Sequence, residues 1–166
     1  IDRYVFYNYD IGAWAYGTLS RTAWLDSGTE PYPRATSSNY LYEHEYGYDD
    51  DGNPMTNVFI ESSDMDLDEG EQFSHISKLI PDVRFLNNAA GQINFVLKTR
   101  NSPGETLTTK STNAVTSTAA KVDLRSRSRQ AAFRFESDDD ASYPGNTDTG
   151  WRLGNNRIEI NPDGKR

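Results

Sequence analysis

The chain has 166 residues, 35% hydrophobic and 12% aromatic with ten tyrosines, and carries a formal net charge of -8. That length suits one domain, or one domain with an appendage, and excludes two full enzyme domains. The acid surplus argues against tight nucleic-acid binding, which depends on Lys and Arg displacing condensed counterions, and the absence of cysteine excludes disulfides and thiolate chemistry.

Large rings set among many short polar residues favour strands and turns over Leu- and Ala-rich helices. Period-two alternation is the dominant signal. No apolar run approaches the roughly 20 residues that cross a bilayer as a helix, and the first ten residues lack the regions of a signal peptide. Because the chain reads from Ile1 directly into a strand, it is expected to be a segment of something longer or a processed product.

YVFYNYDIGAWAYGTLSRTAWLD predicts two or three short strands broken by Gly12, Gly17 and Gly28, and EPYPR is an extended connector held by Pro31 and Pro33. This stretch is too small to close a core and reads as the edge of a larger β domain. NYLYEHEYGYDDDGNPMTNVFIES predicts a hairpin around Asp51-Gly52, a dipeptide suited to the positive φ angles of a tight turn. Its first strand places Tyr40, Tyr42, His44, Tyr46 and Tyr48 on one face as a ladder of rings.

A polar turn centred on Gly70 follows, then the strand FSHISKLIPDVRF, with Ile76 and Ile80 on a common face and Pro81 marking a bulge or an edge. QINFVLKTR alternates cleanly, Ile93, Phe95 and Leu97 pointing inward. TLTTKSTNAVTSTAA has β propensity but little to bury, so it reads either as an exposed edge strand or as a long flexible connection, a strand of low stability being favoured.

In KVDLRSRSRQAAFRFES the inward residues change parity, from Val122 and Leu124 to Phe133 and Phe135, so the register must slip between Arg125 and Gln130. The ending WRLGNNRIEINPDGKR offers Trp151 and Leu153, a turn at residues 154–156 and a last strand with Ile158 and Ile160, all four closing the core. The fold class is therefore all-β. An antiparallel, jelly-roll-like sandwich is expected over residues 59–166, preceded by a strand-rich segment and hairpin over residues 1–58.

Catalysis usually needs a histidine base oriented by a partner. Only His44 and His75 are present, and Glu43 and Glu45 point away from His44 on a strand, so both histidines are expected to be structural and no catalytic residue is assigned. Neighbouring acids such as Glu43 with Glu45, or Asp64 with Asp66 and Asp68, run parallel instead of opposing each other across a sugar, as a glycosidase requires. Read as calcium loops, the stretch from Asp49 puts Pro54 at the glycine position and Ile60 at the closing acid, and the stretch from Asp64 puts Glu69 and His75 there; both fail the template. No cofactor or metal is expected.

Charge is divided along the chain. Twelve of the 25 acids fall within residues 30–71, whereas Lys121, Arg125, Arg127, Arg129 and Arg134 form a later basic cluster. Such two-endedness suits head-to-tail contact between copies. The candidate interface residues are accordingly Tyr40, Tyr42, His44 and Tyr46 from the ring ladder, and Arg125, Arg127 and Arg129 from the run RSRSR, which places its arginines on one face. The same tyrosines, with Trp14, Trp24 and Trp151, support an alternative reading as a sugar-stacking platform of a carbohydrate-binding module.

With these residues in view, the chain resembles the tail nozzle or hub proteins, also called stabilisation proteins, of short-tailed bacteriophages. The resemblance is carried in order by RTAWLDSGTEPYPRATSSNYLYEHEYGYDDDGNP, IESSDMDLDEGEQFSHISKLIPDVRF, LRSRSRQAAFRFESDD and GWRLGNNRIEINPDGKR. It departs at NNRIEINPDGKR, where the family is expected to be more basic. The resemblance implies a non-enzymatic structural component of the virion tail, with a propeller-like region before a C-terminal sandwich. It further implies a homo-oligomeric, hexameric ring that extends the portal channel and meets portal or adaptor proteins and tail fibre or needle proteins. DNA would pass through the lumen without sequence-specific binding during ejection, and residues 1–48 would end a larger upstream domain.

Overall fold

A computed structural model describes residues 2–87, 89–140, 142–143 and 145–164. Ile1, Asn88, Ala141, Pro144 and the basic end at Lys165 and Arg166 lie outside the described residues. The chain divides into two compact units, Ile1–Gly47 and Tyr48–Arg166. Among the described residues there is no α-helix, and none is long and apolar enough to cross a membrane.

In the first unit β1 (Arg3–Asn8) and β2 (Ala13–Thr18) form an antiparallel hairpin with Arg3 opposite Thr18 and Asn8 opposite Ala13. The Asn8 carboxamide closes its turn by accepting from the Asp10 and Ile11 amides. β3 (Ala23–Leu25), β4 (Arg34–Ser37) and β5 (Tyr40–Glu43) make a three-stranded meander. Ser38 and Asn39 join β4 to β5 with φ of 51° and 69°, the two positive values of a type I′ turn. Only Pro33 and Ala35 are buried among the described residues of this unit, as expected for sheets of only two and three strands.

The second unit begins with a short hairpin of β6 (Asp49–Asp50) and β7 (Asn53–Pro54), where Asp51 and Gly52 take the predicted positive φ. Then come β8 (Phe59–Glu61), β9 (Met65–Asp66), a 3-10 turn (Asp68–Gly70), β10 (Ser74–Ile80), β11 (Val83–Asn87), β12 (Gln92–Arg100), β13 (Thr108–Thr116), β14 (Val122–Ser128), β15 (Gln130–Ser137), β16 (Thr149–Leu153) and β17 (Arg157–Pro162). One layer runs β14-β10-β17 with β11-β16 beyond it, and the other runs β13-β12-β15-β8 with β9 also on β15.

The two layers enclose one core. Ile76, Leu79, Val122 and Leu124 face Ile93, Phe95, Leu97, Val115, Ala131 and Phe135. Each fully buried Leu or Ile removes apolar area worth about 1.5–3 kcal/mol. The chain is an all-β, sandwich-like fold, and the alternation of Ile93, Phe95 and Leu97, each 0% exposed, holds as read from sequence. The parity change also holds: β14 lies in one layer and β15 in the other, with Arg129 at the corner between them.

Several details differ. The tight turn at Asp51-Gly52 closes only a two-residue ladder, because β5 pairs back onto β4 and not forward across the turn. Ile80 is 41% exposed, since a register shift between Ile76 and Lys78 brings Leu79 to the core instead. Ile160 pairs with Ile76 but stays 38% exposed because β17 is an edge strand, leaving Trp151, Leu153 and Ile158 to pack on the core.

Residues 154–156 are not a reversal. Ile80 pairs with Arg157 before the break and Val83 pairs with Leu153 after it, so β10-β11 and β16-β17 are two long strands bent together. Asp82 stitches the bend: its carbonyl accepts from the Gly154 amide, its carboxylate accepts from the Asn155 amide at 2.8 Å, and its own amide donates to Asn156 Oδ1 at 2.7 Å. Pro81, which has no amide to donate, sits where the ladder is already interrupted.

Candidate functional site

The expected ladder of rings does not form. β5 stops at Glu43, and Glu45 and Gly47 take φ of 60° and 73°, which turns the chain out of the extended conformation. Tyr40 and Tyr42 remain neighbours with centroids 6.3 Å apart, tilted by 54°. His44 instead lies 4.8 Å from Trp24, and Tyr46 meets Tyr32 edge-on at 5.3 Å. Tyr48 belongs to the second unit, where its ring lies on Gly150, leaving no space for a β-carbon there.

Arg21 links this group. Its Nε donates to His44 Nε2 at 3.1 Å, and its guanidinium stands 4.3 Å over the Tyr42 ring. An accepting Nε2 requires imidazole without a proton on that atom. Burial lowers the His44 pKa, the Arg21 charge lowers it further, and Glu45 opposes them. Arg21, Trp24 and His44, with Tyr4, Phe6 and Leu19, line a groove of about 670 Å³ within the first unit.

Arg125 and Arg127 share the exposed face of β14, while Ser126 and Ser128 alternate inward and are buried; Arg129 lies just past the strand's end. They do not act alike. Arg127 pairs with Asp163 at 2.5 Å and stands 4.0 Å over the Phe73 ring. Arg129, at the corner, lies 4.7 Å over the same ring. Only Arg125 of the three projects outward without an ion pair or stacking partner among the described residues. Phe73 is the residue that sequence reading missed here: a single ring before a strand gives no sign of cations gathering on it from β14.

A second charged group covers the outer side of the other layer. Glu61 accepts from Lys98 at 2.7 Å and from Arg134 at 3.1 Å, and Arg134 also reaches Glu136 at 2.5 Å and stands 3.7 Å over the Phe59 ring. The Lys98 hydrogen bond is the largest influence and lowers the Glu61 pKa; burial opposes it, and the Arg134 hydrogen bond and the two cationic charges add to the lowering. Val96 is buried on this layer although its parity sets it opposite Ile93, Phe95 and Leu97.

The acids weighed for calcium or hydrolysis are engaged locally. Asp64 pairs with Arg100 at 2.9 Å, Asp66 accepts from the Gln130 side chain, and Asp49 accepts from the Gly52 amide. Among the described residues no three His, Asp or Glu side chains gather in a way that could hold a metal ion. His75 lies in β10 opposite Arg127 on one side and Asn161 on the other.

β11 and β16 also bring together two residues that are distant in sequence, Arg84 and Arg152, directly opposite each other. No protein-family model matches the chain, and no curated protein matches it.

Proposed function

We propose that this chain is a structural component of the tail tube of a short-tailed bacteriophage, a nozzle or hub module that works in a homo-oligomeric ring and lets the genome pass. The observation that carries the reading is the apolar surface of the first unit. Val5, Ile11, Trp14 and Tyr16, all on the β1-β2 hairpin or its turn, are 70%, 75%, 72% and 88% exposed. Apolar surface of this extent is characteristic of a protein contact, and large aromatic side chains are enriched in such contacts.

The ordered resemblance of residues 21–54, 60–85, 124–139 and 150–166 supports the assignment to that machine. The net charge of -8 suits a conduit, because an acidic wall repels phosphates and lets DNA slide. A sugar-binding platform is less well supported, since Tyr40, Tyr42 and Tyr46 are not coplanar on one strand. The mass of the native particle, taken with its appearance by electron microscopy, tests the proposal. A closed ring is expected, and a stable monomer under conditions that preserve phage tails rejects it.

A further inference from the structure

We infer that Arg84 and Arg152 form a binding site for a phosphate-class oxyanion on the outer face of the β11–β16 pair. The two arginines are register partners in an antiparallel ladder. Side chains so placed have Cβ atoms about 4.5–5.5 Å apart, and like charges directly opposite each other are destabilising. Both are exposed, and neither has an ion pair or a hydrogen bond among the described residues. Acids outnumber bases 25 to 17 in the chain, so an unneutralised cationic pair is not forced by composition.

The surroundings favour an anion from outside. Alternation sets Leu86 and Gly150 on the same face as the arginines, and the Tyr48 ring covers Gly150, so one side of the pair is walled by apolar surface. Charge-assisted hydrogen bonds gain strength beside such a wall. The acids next to these two strands in sequence have other hydrogen-bond partners: the Asp82 carboxylate accepts from the Asn155 amide, and Asp148 accepts from the Tyr48 amide and the Asn87 side chain. Two guanidinium forks on adjacent strands offer paired donors from both sides. A tetrahedral group with three or four terminal oxygens can accept from both forks, whereas a carboxylate has only two oxygens.

The inference rests on these side chains alone and stands whether or not the chain belongs to a tail tube. The probe is inorganic phosphate, with chloride at matched ionic strength as the reference and thermal unfolding of the intact chain as the readout. At ten times its dissociation constant, phosphate should raise the folded-to-unfolded ratio of the parent protein about elevenfold. Arg84→Gln and Arg152→Gln should each abolish that rise, and in chloride at low salt each should be at least as stable as the parent because the repulsion is relieved. Lys110→Gln, which removes an exposed cation on β13, should keep the response. An equal response to phosphate in the parent and both Gln variants overturns the inference, as does no response in the parent. A short DNA duplex as a second probe separates the sources: protection lost in the same two variants identifies a backbone phosphodiester, and protection by phosphate alone identifies a free phosphate or a phosphomonoester.

Discussion

At Glu159 the outer face of the first layer shows how a single exposed group can couple folding to pH. Its carboxylate accepts from Lys78 at 2.6 Å and from Ser77 at 2.8 Å, which holds its pKa down to about 2 from 4.5. A depressed carboxyl pKa contributes stability above its unfolded value and loses it as pH falls through the folded one. The parent protein should therefore lose stability relative to Glu159→Gln between pH about 4.5 and about 2, the two melting curves converging at the acid end. Melting temperatures across that range check this, and parallel profiles for the two proteins count against it. None of this was visible in the sequence, since Lys78 and Glu159 meet only because β10 pairs with β17. By contrast Ile93, Phe95 and Leu97 were legible from alternation, because β12 pairs with β15 without a register shift across them.

Breaks and bends decide the outcome for whole elements. Alternation predicted one long Tyr strand, but Glu45 and Gly47 in left-handed conformations end it. Gly47 was a readable sign of this; Glu45 was not, since a non-glycine residue rarely takes positive φ and does so under tertiary constraint. The bend between β10-β11 and β16-β17 depends on Asp82 and Asn156 reaching across to the other strand's backbone. Asp82→Ala removes one charge-assisted bond at an exposed position and should cost about 0.5–1.5 kcal/mol. The double variant with Asn156→Ala should cost less than the sum of the two single changes, because both side chains hold the same bend. Urea titration of the four proteins measures this, and strict additivity contradicts a shared role.

On the scale of the molecule, the two units differ in what holds them. Residues 48–166 enclose the described core, whereas the described part of the first unit buries only Pro33 and Ala35. A fragment of residues 48–166 should unfold cooperatively in denaturant, and a fragment of residues 1–47 should show no cooperative transition when isolated, since two small sheets without a packed layer are marginal in water. Circular dichroism of both fragments during a denaturant titration checks the pair of expectations; a sharp transition in the shorter fragment overturns the second.

The class of the fold, the inward residues of β12 and the change of parity between β14 and β15 were already determined by the sequence alone. These follow from period-two alternation and β propensity, which are local properties. The tertiary structure alone decided that β5 turns back onto β4, that Leu79 takes the core position alternation assigned to Ile80, and that the closing stretch bends with β10-β11. It alone brought Phe73 beneath Arg127 and Arg129, and Arg84 opposite Arg152. Each of these depends on which strand lies alongside which, and pairing between segments tens of residues apart leaves no period in the sequence to read.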